Sequence, residues 1–119
     1  MTDIEVIRGD DEIYDLAFTD ADGDPVDLTG AGIVFTAKRR IQDEDADAVL
    51  QYDETNGITV TDALGGIAEL EIAGDDTSVL EDKKVVLRYD LEVTLAAGTV
   101  RTPLLGKMIV RPDVTNGGP

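Results

Sequence analysis

Apolar and polar residues alternate along most of this chain with period two, the repeat of a half-buried strand rather than of a helix. Tyr14, Leu16 and Phe18 share one face of such a segment, with Asp15 and Ala17 on the other. From Gly32 to Arg40 a second strand sets Ile33, Phe35 and Ala37 against Val34, Thr36 and Lys38. Short strands are expected at Ala48 to Tyr52 and at Ile58 to Thr61. Ala68, Leu70 and Ile72 then face a core while Glu69 and Glu71 face water. The clearest segment places Val85, Leu87, Tyr89, Leu91, Val93 and Leu95 on one side of a long strand. It returns as Thr99 to Arg111, where Gly106 to Val110 carries apolar atoms on both sides, as a central or interface-facing strand would. Pro103 cannot donate a ladder hydrogen bond and marks a bulge or break.

Turn chemistry separates these runs: Asp20 to Pro25, Asn56-Gly57, Gly65-Gly66 and Ala96-Ala97-Gly98. Asp75 to Leu80 reads as one helical turn, with Asp75 or Asp76 capping free amides and Leu80 plugging an end of the core. The fold expected is all-β, an immunoglobulin-like two-sheet antiparallel sandwich of seven or eight strands with one short helical turn. It spans residues 1–112, and 113–119 form a C-terminal tail. The Cys-Trp-Cys core marker of antibody domains is missing, so the likeness is one of architecture. The Tyr89 ring belongs to the core, with its hydroxyl at the boundary.

Charge changes the picture most. Asp plus Glu number 26 against 10 Lys plus Arg, a formal net charge of -16 over 119 residues. Such a surface repels nucleic acid and anionic membranes and puts self-repulsion into the folded state that salt screens. The composition reads as that of a protein built for concentrated salt. No apolar run approaches the roughly 18 residues of a membrane helix, and no basic-then-apolar leader opens the chain. The chain has no Cys and no His, which removes disulfides, thiolate chemistry and imidazole as base or metal ligand. Ser78, the only serine, sits outside any nucleophile elbow. Paired carboxylates alone can run some hydrolases, but among 26 acids chance pairs are expected. No catalytic, cofactor-binding or metal residue is assigned, and the chain reads as non-enzymatic.

Four local patterns carry possible chemistry. Asp20, Asp22 and Asp24 are spaced like the first ligands of a calcium loop, but Pro25 stands where Gly is needed and Ala31 where the bidentate Glu belongs. A solvated hairpin turn explains them better. Asp43, Glu44, Asp45 and Asp47 form an acidic loop able at most to gather cations loosely. Arg8-Gly9-Asp10 spells an adhesion tripeptide, yet Gly9 more simply turns the chain while Asp10 and Asp11 stay in water. Lys38-Arg39-Arg40 is the one basic triplet, and the acids that follow point to local ion pairing.

Several phrases, in order, resemble the N-terminal immunoglobulin-like module of phage baseplate upper proteins and related tail or fibre components. They are Ile7 to Asp11, Leu16 to Gly30, Gly66 to Leu80, Arg88 to Val93 and Thr102 to Thr115. The resemblance implies structural roles for Asp27, Leu28 and Thr29 at a turn, for Asp76 and Thr77 at a helical cap, and for Tyr89-Asp90-Leu91 at a strand centre. It implies a non-enzymatic component of a tailed virus particle, in baseplate, tail or capsid, assembled in the host cytoplasm. Its partners would be other virion proteins or further copies in a symmetric particle, with no nucleic acid, membrane or cofactor. The chain stops soon after Thr115, where such proteins often continue into a stalk, which favours an adaptor or decoration subunit. With the acidity, the host expected is a salt-loving microbe. The alternative is a carbohydrate- or cell-surface-binding module, for which Tyr52 is the one aromatic not assigned to an inward face. A halophilic cellular protein sharing the architecture is the third reading.

Overall fold

The computed structural model describes residues 3–81 and 83–113. Eight strands form in chain order: β1 (Ile4–Ile7), β2 (Glu12–Ala17), β3 (Gly32–Lys38), β4 (Leu50–Tyr52), β5 (Ile58–Asp62), β6 (Ile67–Ile72), β7 (Val85–Thr94) and β8 (Val100–Arg111). One five-residue helix, α1 (Gly74–Ser78), lies between β6 and β7. The strands make two sheets, one of five in the order β1-β8-β7-β3-β4 and one of three in the order β2-β6-β5.

The alternation read from the sequence puts apolar side chains between these sheets. Ile33, Phe35 and Ala37 of β3 and Val85, Leu87, Tyr89, Leu91 and Val93 of β7 are buried, as are Ala68, Leu70 and Ile72 of β6. Phe35 stacks on Tyr89 at 5.3 Å between ring centres and meets Tyr52 at 6.0 Å in a tilted arrangement. Leu80 is buried in the same core. Burying such side chains is worth about 1.5–3 kcal/mol each, which is why the inward phase of each strand is fixed.

Three expectations need correction. The sandwich is not wholly antiparallel, because β1 runs parallel to β8, with Val6 beside Val110. Alternation records which face a residue occupies but carries no information on strand direction. The strand expected to run to Arg40 ends at Lys38, and the one expected from Ala48 begins at Leu50 after a single 3-10 turn at Asp45–Asp47. Tyr52 is core rather than loose: β4 buries Leu50 and Tyr52 and exposes Gln51, and Gly57 leaves the Tyr52 ring room that a Cβ would fill. The reading of Pro103 holds. The β7–β8 register slips so that Thr102 and Pro103 lie opposite Glu92, a bulge at the proline. Of the expected tail, Asp113 pairs with Arg8 at 2.9 Å, and residues 114–119 lie outside the described residues.

Candidate functional site

The adhesion-like tripeptide is an internal clasp. The Arg8 guanidinium donates to the carbonyls of Leu80 (2.9 Å) and Ser78 (2.6 Å) and to Asp113 (2.9 Å). It thereby satisfies carbonyls at the C-terminal end of α1, where positive charge is favoured. Gly9, at φ 87°, donates its amide to the buried Thr77 hydroxyl at 2.9 Å, and Thr77 in turn donates to the Gly74 carbonyl at 3.2 Å. A side chain on Gly74 would meet the Gly9 carbonyl at 2.3 Å, so both glycines are required where these segments cross. Asp11 is not merely solvated, since its carboxylate accepts the Gly74 amide at 2.7 Å. That contact, rather than Asp75 or Asp76, caps α1. Asp76 instead accepts the Tyr52 hydroxyl at 2.7 Å, and burial followed by this bond pushes the phenol pKa up. Ser78 is spent on the Asp75 carbonyl at 3.1 Å.

The acidic clusters resolve into turns and ion pairs. Asp20, Asp22 and Asp24 bring carboxylate oxygens within 4.8 Å of one another, all exposed. Asp20 accepts the amides of Asp22 (2.9 Å) and Asp24 (3.0 Å), which is the bonding of a solvated turn. At the next turn Asp27 accepts the Thr29 amide at 2.9 Å while Leu28 is buried. Two members of the basic triplet pair locally, as expected, Lys38 with Asp45 (2.7 Å) and Arg40 with Asp43 (3.3 Å), whereas Arg39 pairs with Glu81 (2.6 Å), 42 positions away. Bonding to Asp45 holds the Lys38 pKa above its ordinary value, and bonding to Arg39 holds Glu81 down at about 2.

What remains is a difference between the two outer surfaces. The three-stranded sheet presents Ile13, Asp15, Thr59, Glu69 and Glu71, with Asp15 directly opposite Glu69, and no basic residue occurs on β2, β5 or β6. The five-stranded sheet presents a hollow of about 590 Å3, lined by Val34, Thr36, Lys38, Arg88, Asp90, Glu92 and Leu105 among others, with Ile41 at its rim. Its outer face also carries the exposed Ile7, Val86, Val100 and Leu105. Across β3, β7 and β8 the register aligns Lys38, Arg88 and Lys107 in one row. Lys38 is engaged by Asp45, whereas Arg88 and Lys107 make no ion pair among the described residues. Asp90, half-buried in the hollow, has its pKa raised by burial, with Lys38 opposing.

Sequence reasoning singled out only the Gly106 to Val110 stretch of β8 on this sheet, although a wider signal existed. No basic residue falls between Arg8 and Lys38 or between Arg40 and Lys83, so the cations cluster in and beside the strands of one sheet. A smaller cleft of about 270 Å3 opens between the sheets beside β2, lined by Ile4, Tyr14, Leu16, Leu70 and Leu104. The Tyr14 hydroxyl at its edge donates to the Glu5 carbonyl at 3.0 Å. No protein-family model matches this chain, and no significant similarity to a curated protein was found.

Proposed function

We propose that this chain is a non-enzymatic structural component of a tailed virus particle, acting through protein–protein interfaces. The observation that carries the interface reading is the outer face of the five-stranded sheet, where exposed apolar side chains occur together with Arg88 and Lys107, which make no ion pair among the described residues, on an otherwise acidic molecule. Apolar residues with Arg on one broad face are the composition of a docking surface. The particle assignment rests on the ordered phrases that resemble phage baseplate modules. Several of these are structural here: Arg8, Gly9 and Asp11 clasp α1 through Gly74 and Thr77, Asp27 builds a turn, and Pro103 sits at the bulge.

An immunoglobulin-like topology is part of the same reading. Taking β2, β6 and β5 as the B, E and D strands, and β8, β7, β3 and β4 as G, F, C and C′, the order of strands within each sheet supports that reading. The carbohydrate-binding alternative loses its one candidate platform, because Tyr52 is buried with its hydroxyl on Asp76. Mass spectrometry of purified, washed particles tests the proposal. The chain is expected at a fixed copy number relative to the major structural proteins, and its loss on washing would overturn the assignment.

A further inference from the structure

We propose that the outer face of the five-stranded sheet binds a second copy of this chain, face to face about a two-fold axis. The inference deepens the particle-component reading by naming the partner at that face, and it rests on that reading only for its biological setting.

Lys38, Arg88 and Lys107 stand beside one another on three adjacent strands. Like charges directly opposite are destabilising, yet Arg88 and Lys107 make no ion pair among the described residues in a chain with 26 acids. The compensating acids are on the same face. Along β7 the outward positions read Val86, Arg88, Asp90, Glu92 and Thr94, and Glu92 also makes no described ion pair.

A two-fold axis parallel to the sheet and just outside its outer face, perpendicular to the strands and level with Asp90, sets Arg88 of each copy against Glu92 of the other. This is the reciprocal contact an isologous interface requires. At the level of the axis lie Thr36, Asp90 and Leu105, which are cross-strand neighbours. Leu105, Val86 and the rim residue Ile41 supply exposed apolar surface. Size is of the right order. Strands of 4, 12, 10, 7 and 3 residues, at about 3.3 Å rise and 4.8 Å spacing, give a flat footprint of roughly 570 Å2 before side-chain relief adds to it. A standard interface uses about 800 Å2 per partner. The other sheet offers acids and no cations, so it cannot match itself.

The test is sedimentation equilibrium of the purified full chain in about 0.1 M salt, where charge pairs are least screened. A dimer is expected. R88E and E92R, both at exposed positions and checked for folding by circular dichroism, should each weaken it on the order of tenfold or more. Mixing R88E with E92R should restore association, since each copy then offers the other two opposite-charge contacts, and R88E/E92R should self-associate. D90N should tighten the dimer, because two Asp90 carboxylates approach at the axis. L105D, which leaves the β7 charges intact, should abolish association. A monomer at all concentrations would overturn the proposal, as would a dimer indifferent to R88E, E92R and L105D. E92R strengthening association would instead identify an acidic partner surface other than this face. None of these outcomes bears on whether the chain is present in particles, which mass spectrometry decides separately.

Discussion

At the residue scale, direction of the side chain decides cost. Leu87 and Leu91 are 0% and 1% exposed, while Arg88 between them points to solvent. Leu87→Ala and Leu91→Ala should each cost about 2–4 kcal/mol in chemical denaturation, from lost transfer energy and the cavity left behind. Arg88→Ala should cost less than half as much. A larger loss at Arg88 would invert the assignment of faces.

Asp90 gives a pH test at the same scale. Burial raises its folded-state pKa, so its ionised form weakens the fold above that pKa, and protonation relieves the penalty as pH falls through it. Asp90→Asn should therefore be the more stable protein at neutral pH when diluted to monomer, with the difference closing as pH is lowered through the Asp90 titration. Denaturation midpoints across pH would show this, and an Asn variant weaker at pH 7 would contradict it.

At the element scale, the clasp around α1 is a point where local propensity does not suffice. A five-residue helix cannot hold itself in water, and its ends are satisfied by Asp11 and Arg8 from the β1–β2 connection. Thr77→Val keeps the shape and strands the buried Gly9 amide, so it should cost about 1–3 kcal/mol, whereas Ser78→Ala on the exposed side should be near neutral. Comparable thermal shifts for the two variants would refute the clasp.

The strands were legible because one face of each is buried, which writes period two into the sequence. The bulge was legible because Pro103 lacks an amide hydrogen. The clasp was not, since it joins residues 63 to 72 positions apart that look like ordinary turn residues. The parallel β1–β8 pair and the cation row were hidden for the same reason: both are properties of register between strands distant in sequence.

At the scale of the whole molecule, charge is distributed as well as excessive. The three-stranded sheet sets Asp15 against Glu69 without a basic residue on its strands, so repulsion concentrates there. Screening length falls from about 10 Å at 0.1 M salt to about 3 Å at 1 M. The melting temperature should therefore rise substantially with potassium chloride over that range and then level off. A melting temperature flat from about 0.1 to 2 M would defeat the reading of a protein built for salt, while leaving the interface argument intact.

The central claim is that the five-stranded sheet is the working surface and the three-stranded sheet is left to solvent. Carboxyl footprinting tests it most directly, by labelling accessible acids in washed particles and in the free monomeric R88E variant. Glu92 should lose reactivity in particles while Asp15, Glu69 and Glu71 keep theirs. Protection of Asp15, Glu69 and Glu71 with Glu92 still reactive would contradict the account.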